Sequence, residues 1–179
     1  PAALLSARLC SHVRYTLLTH DSPAAAVTAL NKQLTGHLRP GRFITFVLFV
    51  LDPATHTLSV VNAGHSPPLL RRRSDRSIIK LAAEDKAEIP LGINDDVSYP
   101  QSDIPLEAGD LVLTYTDGIN EAASPDGELY SNARAQDILT TAPADVTHVG
   151  QAVVSHVRKF SGGQRQGDDI CLLCFGRYE

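Results

Sequence analysis

An α+β fold with a mostly antiparallel sheet is what this sequence predicts, on three observations. Apolar residues recur at helical spacing over the first forty positions, short strand-like runs broken by turn residues fill 43–116, and helical spacing returns at 132–160 before one last apolar run at 170–176. Helices, strands, helices and a strand arranged in blocks point away from an alternating βαβ fold. The 179 residues, 43% hydrophobic and 20% charged, suit a single domain over 1–179.

Pro1 starts the first helix, and Leu5, Leu9, Val13 and Leu17 follow at a spacing of four as its apolar stripe. Ser22 offers an N-cap with Pro23 in the first helical position, and Val27, Leu30 and Leu34 carry a second stripe up to Gly36. At 43–51 the run is almost continuously apolar and rich in Phe, Val and Ile, the pattern of a strand covered on both faces. Asp52 and Pro53 turn the chain into a strand at 58–62. The antiparallel meander continues at 69–72, 77–81, 97–104 and 111–116, the last entered through Gly109 and Asp110. A helix at 132–141 follows with Ser131 as its cap, then one at 146–160 behind Asp145, with Val146, Val149, Val153 and Val157 on its buried stripe. Gly162 and Gly163 stop it, a polar loop leads on, and 170–176 closes the fold as a strand.

Lys and Arg number 16 against 20 Asp and Glu, a formal net charge of -4, which excludes a basic nucleic-acid footprint. No stretch approaches the roughly 18 consecutive apolar residues of a membrane-spanning helix. Cys10, Cys171 and Cys174 form an odd set in a chain too large to need staples, so free buried thiols in a reducing, cytoplasmic compartment are expected. The spacing of Cys171 and Cys174 imitates a zinc or redox motif, but on a strand residues three apart face opposite ways and no second pair completes a site. The chain contains no Met and opens at Pro1 without a charged leader, so it is expected to lack an upstream segment.

The chemistry concentrates near 109–122 and 167–175. Asp117 closes an apolar strand, where Asp is disfavoured, and Gly118 behind it permits either close backbone approach or a positive φ. Asp168 and Asp169 open the final strand. If these strands are antiparallel neighbours, the carboxylates converge at one sheet edge in a partly buried site, and the repulsion is relieved by a proton or by a hard cation such as magnesium or manganese. The alternative is a plain Asp-Gly turn and a solvated strand entry.

The segments GDLVLTYTDGINEA (109–122), DGELY (126–130) and GDDICLLCF (167–175), supported by PAALLSA at the start, FITFVLFVLD (43–52), NAGHSPPLL (62–70) and PLG (90–92), resemble the metal-dependent protein serine/threonine phosphatases (PPM, type 2C), in their bacterial SpoIIE/RsbU-type branch. The resemblance implies an αββα sandwich of mostly antiparallel sheets flanked by helices, with two Mn²⁺ or Mg²⁺ ions at one end. It assigns Asp117 and Asp168 as catalytic metal ligands, with Asp169 ranking behind them. It further implies that a metal-activated water hydrolyses phosphoserine or phosphothreonine on a partner protein, commonly a STAS-domain anti-anti-sigma factor. In that branch PAALL follows an Asp-x-x-Gly-x-Gly segment and an earlier Gly-Asp strand that carry further ligands. Both would lie before Pro1, so weak metal binding and slow turnover are expected of this chain, and open sheet edges would favour a homodimer.

A catalytically inactive regulatory or binding module of the same fold is the competing reading, decided by whether acidic residues occupy those upstream positions. Other polar residues receive plainer roles: His65 fixes the turn after Asn62, Glu121 is a surface or packing carboxylate, and Arg71, Arg72, Arg73 and Arg76 form a solvated hairpin tip rather than a phosphoprotein-binding patch.

Overall fold

A computed structural model describes residues 2–39, 41–82, 89–143, 145–164 and 166–178, with side chains from residue 9 onward. In chain order the elements are α1 (Ala2–Thr19), α2 (Pro23–Thr35), β1 (Phe46–Asp52), β2 (Thr57–Ala63), β3 (Leu69–Arg71), β4 (Ile78–Lys80), β5 (Ser102–Pro105), β6 (Leu111–Tyr115), α3 (Asp117–Asn120), α4 (Ser131–Thr141), α5 (Val146–Phe160) and β7 (Leu172–Gly176). They fall into two compact units, one of Pro1–His65 with Ala82–Pro105, the other of Ser66–Leu81 with Leu106–Glu179. The expected roles of Pro1, of the Leu5 side chain and of Arg165 in the polar loop lie outside the described residues.

The first unit packs α1 and α2 on a sheet ordered β1-β2-β5, antiparallel at both junctions. Ser22 caps α2 as expected, its Oγ accepting from the Ala25 N–H at 3.2 Å, and Val27, Leu30 and Leu34 are all buried. The α1 stripe drifts. Leu9 and Val13 pack on the core, but Leu17 is exposed and Thr16 is buried in its place. Four residues advance about 400° around a helix of 3.6 residues per turn, so a strict spacing of four rotates off the core within a few steps.

Central β2 supplies Leu58, Val60, Val61 and Ala63, each fully buried. β1 is the apolar run predicted to be covered on both faces, and the structure differs: it stands at a sheet edge, and Val50 and Leu51 are exposed. The run 97–104 is also mostly not strand. Only Ser102–Pro105 pairs with β2, because Tyr99 is held instead by α2, its N–H donating to Thr28 Oγ1 at 3.2 Å while its ring enters the core. Gly64 explains why NAGH and PLG belong together: with φ +70° it lies so close to Pro90 that a Cβ would come within 2.5 Å of the proline ring.

The second unit has a sheet ordered β4-β3-β6-β7, antiparallel throughout, with α4 and α5 packed on it. All five residues of β6 are buried. Val149, Val153 and Val157 of α5 face this core, and Asp145 caps the helix, its Oδ1 accepting from the His148 N–H at 2.9 Å. Ser131 does not cap α4. Tyr130 takes that position, its fully buried ring meeting His156 and Phe160 edge-on and its hydroxyl 2.9 Å from His156 Nδ1.

The three cysteines are free, as expected, but not buried: Cys10 and Cys171 are exposed and Cys174 is half-buried. Cys10 lies on an outer position of α1, and Cys171 precedes β7 rather than standing within it. Burial pushes the Cys174 thiol up to about 11.

Candidate functional site

The strand pair that delivers the acidic residues is β6 with β7. Their register sets Leu111 against Gly176 and Tyr115 against Leu172, so the end of one strand lies beside the start of the other, the geometry the sequence required. The connection extends one residue further through a side chain. Thr116 N–H donates to Cys171 O at 3.0 Å, Cys171 N–H donates to Thr116 Oγ1 at 2.9 Å, and that hydroxyl donates to Asp169 O at 2.9 Å. Thr116 is the N-cap residue of α3 but makes no side-chain cap bond, since its hydroxyl is already committed to the 169–171 segment.

Asp117 therefore begins a short helical turn rather than ending the strand. Gly118 settles the choice between close approach and positive φ in favour of approach. Its φ is not positive, and a Cβ there would lie 2.5 Å from Asp169 O and 3.1 Å from Asp168 O. Any other residue would push the two acidic segments apart. The Asp168 side chain is steadied by the Asp169 N–H, which donates to Oδ1 at 2.7 Å, and Gln166 Nε2 donates to Asp168 O.

Asp117, Asp168 and Asp169 are exposed, not partly buried as expected, because α3 and the entry to β7 both lie at the rim of the sheet. None of the three forms an ion pair among the described residues. The nearby Asn120 Oδ1 is buried with no hydrogen-bond partner. Among the described residues no group of three or more His, Cys, Asp and Glu gathers into a metal cluster. The segments that do meet, the turn after Asp117 and the Asp168–Asp169 backbone, carry carboxylate oxygens as their side-chain donors, which fits a hard cation such as Mg²⁺ or Mn²⁺.

Arg73 and Arg76 are exposed, as a solvated tip requires, but Arg71 and Arg72 are structural. Arg71 is buried in β3 and its Nη1 donates to Leu139 O at 2.8 Å and Ala142 O at 2.7 Å, capping the end of α4. Arg72 pairs with Asp110, and Arg73 N–H donates to Asp110 Oδ1 at 3.0 Å. Only charge patterning was visible in the sequence, and three consecutive arginines look solvated unless the facing carbonyls are known. In the turn after β2, Asn62 holds the backbone of His65: Asn62 Nδ2 donates to His65 O at 2.9 Å and Asn62 Oδ1 accepts from His65 N–H at 3.0 Å. Glu121 caps α3 and is exposed, the plain role expected of it. Thr116 and Asn120 escaped the sequence reading. The one signal for Thr116 was its place between a strand and an Asp-Gly pair.

Comparison with known proteins matches residues 1–178 to the family described as Stage II sporulation protein E (SpoIIE). The phosphoserine phosphatase RsbU of Bacillus subtilis (strain 168) is 28% identical over 130 residues, 70% of this chain and 38% of RsbU. Among solved structures, the SiaA-PP2C domain of Pseudomonas aeruginosa superposes with a TM-score of 0.83 at 20% identity, covering 98% of this chain and 70% of that one. The SpoIIE phosphatase domain of Bacillus subtilis, presoaked with Mn, gives 0.67 at 19% identity, covering 93% and 70%. These likenesses show an α+β PPM-type fold with antiparallel sheets flanked by helices. The chain spans less than half the length of the curated relatives it matches.

Proposed function

The chain belongs to the SpoIIE family, within the PP2C-type serine/threonine phosphatases, and from that membership we propose that its two units form one domain that hydrolyses phosphoserine or phosphothreonine on a partner protein. The observation that supports the proposal is the pairing of β6 with β7, which sets Gly118, the residue after Asp117, against the Asp168–Asp169 backbone. Asp117 and Asp168 would hold Mn²⁺ or Mg²⁺, with Asp169 the further candidate. When bound, such ions would lower the pKa of a water enough to give hydroxide, the nucleophile toward phosphorus, at neutral pH, and would offset charge on the phosphoryl oxygens.

The chain's own contribution is placement. Gly118 lets the two acidic segments touch, and the Thr116 hydroxyl fixes where the 169–171 backbone sits relative to Asp117. The exposed carboxylates leave the site open to a phosphorylated side chain on a folded partner. RsbU is described as a phosphoserine phosphatase, which favours phosphoserine here. A STAS-type anti-anti-sigma protein in the cytoplasm is the partner the sequence resemblance favours.

The test is manganese-dependent release of phosphate from a phosphoserine protein, measured on the full-length protein that carries this chain. Asp117→Asn and Asp168→Asn should each lower kcat by about a hundredfold or more. Unchanged turnover in both would overturn the site, and no turnover in the parent would favour the inactive binding module.

A further inference from the structure

A cavity of about 570 Å³ opens in the second unit beside the acidic segments, a size typical of ligand pockets. Its walls come from the α3 turn and the residues after it, the end of α5, and the loop entering β7. Ala122, Ala123, Val157 and Ile170 give it an apolar floor, while Arg158 and Asp168 stand among its polar residues. Asp168 is shared, belonging both to this wall and to the candidate metal site, and Gly118 lines the same wall.

Arg158 is exposed and makes no hydrogen bond or ion pair among the described residues. A basic residue near the end of α5 complements the helix dipole, but Lys159 in the same last turn already does so. The dipole also gives no reason for a cavity. The acidic members of the lining, Glu121 and Asp168, come from the α3 side and the entry to β7, so a second negative charge entering the cavity is steered toward α5 and Arg158.

We propose that this cavity docks the residues flanking the phosphoserine of the protein substrate, with an apolar side chain on the floor of Ala122, Ala123, Val157 and Ile170 and an acidic side chain on Arg158. The inference rests on the phosphatase reading above. A phosphoryl group at Asp117 and Asp168 leaves the attached chain at the mouth of a cavity that shares Asp168 as wall, which favours a substrate segment over a free small molecule. The volume exceeds what one side chain fills, in keeping with two neighbouring residues.

The experiment uses fluorescein-labelled phosphoserine peptides whose flanking residues on both sides are Leu and Glu, Leu and Lys, or Ser and Glu, with binding read by anisotropy and phosphate release by kcat and KM. The Leu/Glu peptide should bind about fivefold tighter than the Leu/Lys peptide, the size of one charge pair near the surface. Arg158→Glu should reverse that order, with the change in KM rather than kcat. Ala123→Leu, which fills the floor, should weaken both Leu peptides and leave the Ser/Glu peptide unchanged.

Equal affinities across the peptides, an order that survives Arg158→Glu, or no peptide binding at all would each overturn the pocket. Ordered binding without phosphate release would keep the pocket and overturn the phosphatase reading. Phosphate release with no preference for flanking residues would do the reverse.

Discussion

The two ends of β6 carry the same residue type to opposite fates. At its entry Asp110 is fully buried, its carboxylate held by the Arg72 guanidinium and by the N–H groups of Arg73 and Glu107, each at 3.0 Å. At its exit Asp117 is exposed and without a cationic partner among the described residues. Both follow or precede a glycine, Gly109 before one and Gly118 after the other. In one case the protein neutralises its own charge and gains a rigid strand entry. In the other the charge is left at the rim, available to a ligand.

The comparison breaks most directly at the buried end. Asp110→Ala leaves Arg72 and two backbone donors without their acceptor, and should cost about 3 kcal/mol in urea denaturation, the lower end for a broken buried pair because Arg72 retains some solvent contact. A loss below about 1 kcal/mol would mean that the buried carboxylate is not what anchors the strand. Next in size is Gly118→Ala. Its Cβ would collide with the Asp168 and Asp169 carbonyls, so about 2 kcal/mol of destabilisation is expected from overpacking, together with a fall in phosphate release as the segments part.

A half-buried acid with partners, Asp145, lies between the two extremes. The His148 backbone and side-chain hydrogen bonds hold the Asp145 carboxyl below the usual carboxylate range. The depressed value means that its capping of α5 is complete above the ordinary carboxylate pKa near 3.8 and is lost as the pH falls through the folded-state value. Denaturation midpoints at pH 5 and pH 3 should differ more for the parent than for Asp145→Asn. Smallest of all is Asp117→Asn, which should shift stability by less than about 0.5 kcal/mol. Manganese should raise the melting temperature of the parent but not of this variant, and equal shifts in both would dissociate Asp117 from the ion.

The exit of β6 was largely legible in the sequence. An apolar run ending in Asp-Gly and another beginning after Asp-Asp are local patterns, and antiparallel pairing then brings them together. The entry was not. Arg71 and Arg72 read as solvated because nothing local reveals that α4 presents two carbonyls to one guanidinium and Asp110 a carboxylate to the other. Burial of β1 was overestimated for a related reason: composition reports that a strand is apolar, not whether it has neighbours on both sides. Tyr99 similarly looked like a strand residue, since a buried aromatic in irregular backbone has no periodicity to betray it.

The Thr116 clasp has a dynamic consequence. The β6–β7 ladder would ordinarily fray at its last backbone pair, and the Cys171 amide would then exchange with solvent as freely as a loop. Here that amide is bound to a hydroxyl that is itself tied to Asp169 O, so releasing it means opening the acidic rim while the strands stay paired. The protection of this single amide against deuterium thus gauges how often the rim springs open, separately from how often the sheet unfolds.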